Sequence, residues 1–492
     1  MERLRNLIGG QWVDASGGET FASINPATGE VVAEVPASGP EDVDRAVQAA
    51  REAYRSWRLY PAPRRAEILF RAAQLMVERK EELARAMTRD MGKVLTESRG
   101  EVQEGIDMTF YMAGEGRRLT GEVVPSESPD KFAMAQRDPI GVVAAITPWN
   151  FPFSIATWKL MPALVAGNTA VFKPASDAPL LGYLLARILE EAGLPPGVLN
   201  VVFGSGEAVG DALLRHPGVD LISFTGSNAV GRQVARIAAE QMKRYHLELG
   251  GKNAITVLDD ADLDLAVQGI LWSAYGTTGQ RCTAGSRVIV QRGIHDALVE
   301  RLKEGARRLR LGDGLDPETE VGPLINRRAL EKVERYVRIG QEEGAVLVAG
   351  GHPVTTGELA KGFFYEPTLF DQVGPRFRIA QEEIFGPVLS IIPVDSLEEA
   401  VEVNNGVEYG LSSSIYTRDV NKAFKAMRDL VTGIVYVNAG TIGAEIQLPF
   451  GGTRGTGNGH REAGRAALEV YTEWKAVYVD YSGRLQRAQI DR

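Results

Sequence analysis

Short apolar runs alternate with helical stretches in the first half of the chain, and this rhythm constrains the fold more than any other feature. The runs are Val142–Thr147, Thr169–Lys173, Val198–Phe203, Val219–Phe224 and Tyr245–Leu249. Strands that are separated by helices usually pair in parallel, and the helices cover the faces of the sheet. The pattern therefore predicts a parallel α/β sheet from about residue 141 to residue 250.

A second region of the same kind follows. Its strand candidates are Ala254–Leu258, Ser286–Gln291, Val388–Pro393 and Gly433–Asn438. A chain of 492 residues also exceeds what one hydrophobic core usually supports. We therefore place a domain boundary near Gly250-Gly251 and predict two α/β domains.

Other segments are expected to lie outside these sheets. Apolar residues recur at helical spacing in Glu41–Trp57, and Glu67–Met87 continues in a similar style, which predicts two amphipathic helices before the first sheet. Gly121–Asp138 and Ala476–Tyr481 read as strand-forming pieces, the second alternating as an edge strand does. That strand either packs on its own subunit or belongs to an arm shared between subunits.

Composition excludes several classes of partner. The net charge is −9 with no basic stripe, so we predict no nucleic-acid partner, and no apolar run approaches the roughly 18 residues of a membrane helix. Met1–Asn6 lacks a signal-peptide pattern, and one cysteine permits no intrachain disulfide. We expect a cytoplasmic protein that neither binds a membrane nor holds a metal ion.

The one cysteine, Cys282, lies in Gly279-Gln280-Arg281-Cys282-Thr283, between a helical run around Leu265–Tyr275 and the strand candidate Ser286–Gln291. A lone cysteine is usually a small buried hydrophobe. A polar loop bracketed by glycine, however, is where a scaffold presents a reactive group. Together with Glu248, Cys282 suggests a thiol nucleophile and a carboxylate base.

Two glycine-containing turns bear on nucleotide binding. Gly204-Ser205-Gly206 with Gly210 misses the Rossmann spacing, and Gly226-Ser227 with Gly231 lacks the Lys-Ser/Thr ending of a P-loop. Taken alone, each turn is more typical of a tight bend. Both nevertheless follow strands and open helices, whose N-terminal amides can bind a pyrophosphate. The topology favours a nucleotide even though neither pattern is complete.

Seven segments, in order along nearly the whole chain, resemble the motif series of the aldehyde dehydrogenase superfamily. They are Thr147-Pro148-Trp149-Asn150-Phe151-Pro152, Phe172-Lys173-Pro174, Phe224-Thr225-Gly226-Ser227, Leu247-Glu248-Leu249-Gly250-Gly251-Lys252, Gly279-Gln280-Arg281-Cys282, Glu382-Glu383-Ile384-Phe385-Gly386-Pro387 and Pro449-Phe450-Gly451-Gly452. The resemblance implies a variant Rossmann cofactor domain (1–117 and 139–250), an α/β catalytic domain (251–449) and a small β oligomerisation arm (118–138 and 466–492). A homodimer or homotetramer is then expected.

The same resemblance implies roles for four catalytic residues. Cys282 would attack an aldehyde to give a thiohemiacetal, and the Asn150 amide with the Cys282 backbone N–H would stabilise the oxyanion. Glu248 would activate the water that hydrolyses the resulting thioester, and Lys159 would help to relay protons. Without the resemblance, Asn150 reads as a turn residue, Glu248 as a strand-end surface charge and Lys159 as an exposed helix charge.

NAD or NADP is the implied hydride acceptor. Lys173 matches a lysine on the adenosine ribose, Glu383 a carboxylate on the nicotinamide ribose and Phe385 a neighbour of the nicotinamide; the alternatives are a solvated lysine, a surface glutamate and a core phenylalanine. Further implied contacts are Ile146, Thr147, Trp149, Ser176, Gly204, Phe224, Thr225, Gly226, Ser227 and Leu249. NAD-preferring members often place a glutamate where this chain has Ser176, so we favour NADP, while the carboxylate of Asp177 leaves NAD open.

The expected mouth of the substrate site is aromatic, with one cation. Its residues are Phe151, Phe153, Trp158, Arg281 and Phe450. Phe153 is more typical of a core position than of a specificity determinant. A guanidinium at Arg281 would favour the thiolate and could pair with a substrate carboxylate. Arg281 and the ending Gly457–Glu462 resemble dehydrogenases of carboxylated semialdehydes, such as 2-oxoglutarate semialdehyde.

Two other reactions use a thiol of this kind. A dehydrogenase that transfers the acyl group to coenzyme A is disfavoured, because a base for water at Glu248 would waste the thioester. A cysteine hydrolase needs a histidine partner, and none of the five histidines lies in a recognisable signature.

Overall fold

Two seven-stranded sheets dominate a computed structural model that describes residues 2–490. In spatial order the first consists of Arg244–Glu248, Leu221–Thr225, Val142–Ile146, Thr169–Lys173, Leu199–Val201, Asn6–Ile8 and Gln11–Val13. The second consists of Val346–Ala349, Thr368–Asp371, Val388–Val394, Gly285–Gln291, Asn253–Val257, Ser412–Tyr416 and Ile434–Val437. The chain passes from the first sheet to the second between Glu248 and Asn253.

The predicted strands form the parallel part of the first sheet and four of the six parallel strands of the second, in which Thr368–Asp371 and Ser412–Tyr416 were missed. In the first sheet the five strands from residue 142 to residue 248 pair in parallel, and an antiparallel hairpin at Asn6–Val13 extends one edge. Val142–Ile146 and Thr169–Lys173 are buried along their whole length, as their continuous apolar runs indicate. The α/β fold class expected from the sequence is therefore confirmed.

The helices before the first sheet differ from the prediction. The second predicted helix is two, Ala62–Glu78 and Lys80–Met91, and a further helix, Leu95–Glu115, was missed. No glycine or proline marks the break at Arg79. Leu95–Glu115 packs against three helices, so its buried residues lie on several faces and give no one-sided pattern. The early strands Thr20–Ile24 and Val31–Pro36 were not expected either.

The helices cover both sheets, and the core lies between them. The α-helices are Pro40–Trp57, Ala62–Glu78, Lys80–Met91, Leu95–Glu115, Ser154–Ala166, Leu180–Glu191, Asp211–Arg215, Asn228–Glu240, Leu263–Tyr275, His295–Arg308, Arg327–Glu342, Arg378–Gln381, Leu397–Asn405, Val420–Asp429 and Ala467–Tyr471. Within residues 2–490, no helix is both long enough and apolar enough to cross a membrane.

A separate three-stranded antiparallel sheet lies where the oligomerisation arm was predicted. Thr472–Asp480 pairs along its length with Lys131–Pro139, which pairs on its other side with Glu122–Val124. These strands confirm the two strand-forming pieces predicted outside the α/β regions. Large apolar side chains on this sheet face outwards, among them Tyr478, which is 70% exposed.

Candidate active site

A cleft of about 380 Å³ brings together segments that are far apart in the sequence. The carboxyl ends of three first-sheet strands supply one wall, as expected for parallel sheets. The lining includes Pro148, Trp149, Asn150, Thr225, Gly226, Ser227, Leu249, Gly250, Cys282, Glu383, Ile384 and Phe385. The predicted nucleophile and the predicted nicotinamide-side residues therefore share one cavity.

Cys282 lies in a turn between the helix Leu263–Tyr275 and the strand Gly285–Gln291, and its side chain is partly exposed. The Asn253 side-chain amide donates to the Cys282 carbonyl at 2.8 Å. A Cβ at Gly251 would lie 2.5 Å from the same carbonyl oxygen, so only glycine allows this close approach. The backbone that carries the thiol is therefore fixed by the Asn253 hydrogen bond and by close packing against Gly251.

The electrostatic surroundings of the thiol correct one expectation. Burial raises the pKa of Cys282 to about 12, and the carboxylates of Glu248 and Glu383 act in the same direction. Arg281 was expected to favour the thiolate, but its guanidinium binds Glu97 instead, with 2.9 Å between Nη2 and Oε1. The thiol therefore needs a proton acceptor when it attacks, because within residues 2–490 no adjacent free cation offsets the raised pKa.

Asn150 is buried beside the cysteine turn. Its side-chain Nδ2 donates to the backbone carbonyl of Gln280 at 3.0 Å, two residues before Cys282. Its backbone carbonyl accepts from Lys93 Nζ at 2.9 Å. An amide nitrogen carries two protons, so one N–H remains for a further acceptor. The alternative of an ordinary surface turn does not fit a side chain that is fixed in this way.

Glu248 ends the edge strand of the first sheet and is 3% exposed. Its Oε1 has no hydrogen-bond partner in the described part of the chain. Burial, together with the nearby carboxylate of Glu462, raises the pKa of Glu248 well above its ordinary value. Glu248 is therefore not a surface charge, and a buried carboxyl with a raised pKa is suited to proton transfer.

Lys159 is fully buried, so the alternative of an exposed helix charge is excluded. Its Nζ lies 2.5 Å from Glu462 Oε1 and donates to Ser223 Oγ at 3.2 Å. Sequence reasoning gave Glu462 no role and overlooked His246, which lies between the carboxyls of Glu248 and Glu462. No local pattern marks these two residues.

Trp149, Glu383 and Phe385, which were predicted on the nicotinamide side, are fixed by a ring contact and by a backbone hydrogen bond. The rings of Trp149 and Phe385 meet edge-on at 5.5 Å, and Phe385 has a positive φ of 61°. Glu383 Oε1 accepts from the Gly251 N–H at 3.0 Å. This contact excludes the alternative of a free surface glutamate, and the partial exposure of Phe385 argues against a core position.

The predicted adenosine-side residues form a second group that does not line the cleft. Ser176 Oγ donates to the Gly204 carbonyl at 2.8 Å, and Lys173 Nζ donates to the Pro174 carbonyl at 3.1 Å. Burial lowers the pKa of Lys173 to about 8, so it is not a solvated lysine. Asp177 lines the cleft, where its carboxylate accepts from Asn326 Nδ2 at 2.9 Å. The remaining predicted contacts, Ile146, Thr147 and Phe224, are buried at or beside strand ends.

The five predicted mouth residues lie in three places, and none of them is among the residues that line the cleft. Trp158 and Phe450 stack edge-on at 5.0 Å, and the Phe151 ring lies 3.6 Å from Lys93 Nζ and 5.5 Å from the Arg281 guanidinium. The prediction of Phe153 at the substrate mouth is wrong. Its side chain is fully buried in the core, where Gly105 has no side chain and leaves room for the ring.

Comparison with known proteins agrees with this geometry. The family model described as "Aldehyde dehydrogenase family" matches residues 12–477. The chain belongs to the aldehyde dehydrogenase family. It is 42% identical to the alpha-ketoglutaric semialdehyde dehydrogenase of Bacillus subtilis over 475 residues, covering 96% of this chain and 97% of that protein.

Two solved structures are also similar. The NAD+ complex of betaine aldehyde dehydrogenase from Staphylococcus aureus is 36% identical, with a TM-score of 0.96 over 98% of this chain and 95% of that one. An NADP-dependent enzyme of E. coli is 39% identical, with a TM-score of 0.94 over 97% and 98%. The protein is thus an NAD(P)-dependent oxidoreductase that oxidises an aldehyde to an acid.

The aldehyde dehydrogenase cleft also contains residues that sequence reasoning missed. They belong to the helix Arg327–Glu342 and the turn before it, and they are Ile325, Asn326, Arg328, Ala329 and Lys332. The helix has a clear amphipathic pattern, and its polar face is ordinary for a surface helix. Only the tertiary structure distinguishes the part of that face that borders the cleft.

Proposed function

We propose that this aldehyde dehydrogenase converts a carboxylated semialdehyde into a dicarboxylic acid by way of a thioester on Cys282. The convergence of Cys282, Asn150 and Glu248 carries the proposal. Asn150 is anchored to Gln280 in the cysteine turn, and Glu248 is close enough to raise the pKa of the thiol. These contacts support a single site with a nucleophile, an oxyanion donor and a base.

Attack forms a bond between Cys282 Sγ and the aldehyde carbon and places a negative charge on the former carbonyl oxygen. The free N–H of Asn150 and the backbone N–H of Cys282 stabilise that charge by hydrogen bonds. The attacking species is the thiolate, and the thiol proton passes to water at the partly exposed Cys282, so that Glu248 remains available for the hydrolysis step.

The cleft fits the nicotinamide half of the cofactor. Thr225 Oγ1 is buried without a hydrogen-bond partner within residues 2–490, and the exposed Ser227 begins the helix Asn228–Glu240. A Cβ at Gly250 would meet the Glu383 carboxyl at 2.6 Å, so the glycine keeps this carboxyl close to the strand end. When bound, the cofactor would supply the hydride acceptor. Trp149, Thr225, Glu383 and Phe385 would hold and orient it.

We propose hydrolysis, rather than transfer to coenzyme A, as the second half of the reaction. In its carboxylate form Glu248 takes a proton from water as the oxygen bonds to the acyl carbon, and the carbon–sulfur bond then breaks. A buried base next to the thioester directs the acyl group to water. The cleft also provides no histidine for a cysteine hydrolase, since none lines it in the described residues.

We propose that the substrate carries a carboxylate, because in the described residues the guanidinium of Arg281 next to Cys282 still has a nitrogen free to donate. Arg281 uses Nε on Thr277 and Nη2 on Glu97, and within residues 2–490 its Nη1 has no hydrogen-bond partner. A carboxylate can accept from that nitrogen. The relative from Bacillus subtilis, named for a carboxylated semialdehyde, supports the same class.

For the cofactor, we propose that NADP is preferred. Ser176 is partly exposed and carries no charge that would repel a 2′-phosphate, and Asp177 is held by Asn326. The apolar outer face of the arm supports a homodimer or homotetramer in which the arm is shared.

The absorbance of reduced nicotinamide tests the substrate and the cofactor together. Each of NAD and NADP is mixed with the protein and with matched pairs of aldehydes, one neutral and one carrying a terminal carboxylate. We expect the highest kcat/KM with NADP and a carboxylated semialdehyde. A preference for the neutral member of every pair would contradict the proposed substrate class.

A further inference from the structure

A buried imidazole lies behind the proposed base. His246 is fully buried in the strand Arg244–Glu248, two residues before Glu248, so both side chains project from the same face of the strand. Its Nε2 lies 3.6 Å from Glu248 Oε1, and its Nδ1 lies 3.5 Å from Glu462 Oε1. The ring therefore stands between two carboxyl groups that are themselves buried.

In the described part of the chain, neither ring nitrogen of His246 has a further partner. Within residues 2–490, His246 Nδ1, His246 Nε2 and Glu248 Oε1 are all buried without a hydrogen bond. Buried polar atoms are rarely left unpaired, because the loss of hydration is not compensated unless they form a hydrogen bond. The two separations exceed a hydrogen bond by only a few tenths of an ångström, so small rotations of the side chains pair all three atoms.

The ion pair on the far side decides which nitrogen carries the proton. Lys159 Nζ contacts Glu462 Oε1, the same oxygen that His246 Nδ1 approaches. A glutamate paired with a lysine ammonium is a carboxylate, and a carboxylate only accepts hydrogen bonds. Nδ1 must then be the donor. In a neutral imidazole Nε2 is consequently an acceptor, and it can pair with Glu248 only when Glu248 carries a proton.

We infer that His246 is a positioning residue that sets the protonation of Glu248: its Nδ1–H donates to Glu462, and its Nε2 accepts from the neutral carboxyl of Glu248. This deepens the proposed function, on which it rests. The resting base is held as an acid that points towards His246. When it loses its proton it loses this partner, and it becomes the carboxylate that hydrolysis requires.

The charges around the ring agree with this assignment. Burial lowers the pKa of His246 well below its ordinary value, and Lys159, His460 and Arg461 act in the same direction, so the ring is neutral at pH 7. Burial and Glu462 raise the pKa of Glu248, against the effects of Lys159 and Arg461. The titratable groups that face His246 and Glu248 thus come from the helix Ser154–Ala166, which carries Lys159, and from the segment 460–462.

The pH profile of kcat tests the inference with the variant His246→Gln. An acceptor at Nε2 stabilises protonated Glu248, so the carboxylate forms only at higher pH. A glutamine amide can donate to the carboxylate, which lowers the pKa of Glu248. The acid limb of kcat should therefore move to lower pH by about one unit, the effect of one hydrogen bond. The burst of reduced nicotinamide, recorded alongside, monitors the step before hydrolysis.

His460→Gln is the matched control, because the His460 ring lies 6.1 Å from His246 but is not placed between two carboxyls. An acid limb that stays in place in His246→Gln, or moves equally in His460→Gln, would overturn the inference. A wild-type protein that reduces neither NAD nor NADP with any semialdehyde would instead contradict the proposed function.

A measurement on the wild-type protein does not depend on how the variant folds. Neutron diffraction from a crystal exchanged into deuterium oxide near neutral pH should show deuterium on His246 Nδ1 and on a Glu248 carboxyl oxygen, with Nε2 bare. Deuterium on Nε2 would overturn the inference.

Discussion

Arg281 Nη2 lies 2.9 Å from Glu97 Oε1, and both side chains are only 12% exposed. The cation next to the nucleophile is thus already paired, and what it offers a substrate depends on this partner. If Arg281 binds the substrate carboxylate, Arg281→Leu should lower kcat/KM for carboxylated semialdehydes by about 10- to 100-fold and affect neutral aldehydes less.

Glu97→Gln is the companion to that variant. It keeps the shape of the side chain and removes the charge that offsets Arg281, so KM for a carboxylated semialdehyde should fall while KM for a neutral aldehyde stays the same. Steady-state assays with both substrates measure this. Equal losses for both substrates in Arg281→Leu would show that Arg281 only supports the cysteine turn.

Cys282→Ser should abolish aldehyde oxidation and leave cofactor binding intact. A serine hydroxyl is a far weaker nucleophile than a thiolate, whereas the side chain is a small part of the cleft wall. Turnover is followed by the absorbance of reduced nicotinamide. Cofactor binding is followed by the quenching of tryptophan fluorescence, to which Trp149 in the cleft contributes. If more than about a few per cent of the activity remained, the thiol mechanism would be wrong.

Glu248→Gln should complete one round of hydride transfer and then stall, because the amide cannot take a proton from water. We expect a burst of reduced cofactor close to the enzyme concentration in stopped-flow measurements, followed by slow turnover. An unchanged steady-state rate would remove Glu248 from the hydrolysis step.

Ser176→Glu should reduce kcat/KM for NADP by roughly 10-fold or more through repulsion of the 2′-phosphate. Ser176→Gln, which has a similar size and no charge, is the control and should retain more of the NADP activity. Titrations with both cofactors measure the change. If the wild-type enzyme did not use NADP, Asp177 or its loop, and not Ser176, would determine the preference between NAD and NADP.

A chain that ends at Glu473 loses nearly the whole arm strand Thr472–Asp480 and should become monomeric or aggregate. A chain that ends at Tyr481 keeps the strand and should keep the oligomer. Light scattering compares the two. If the shorter chain assembled like the full-length protein, the strand would belong to its own subunit only.

Local patterns in the sequence were sufficient for the parallel strands of the first sheet, and they singled out a candidate nucleophile. Parallel strands buried on both faces need continuous apolar runs, so Val142–Ile146 and Thr169–Lys173 are visible without a structure. Cys282 was found because a polar, glycine-bracketed loop between a helix and a strand is a local feature too. The helix Leu95–Glu115 was missed, since burial on several faces removes the one-sided pattern on which such a prediction depends.

The tertiary structure decided everything that depends on pairs of distant residues. Lys159 and Glu462 are 303 positions apart, and Arg281 meets Glu97 across 184 positions. Residue type alone made Arg281 a free cation, and the fold gave it a carboxylate. A composition or a spacing specifies which groups a chain contains, but burial and charge pairing arise only when the folded chain brings those groups together, and they set the proton affinities on which this chemistry depends.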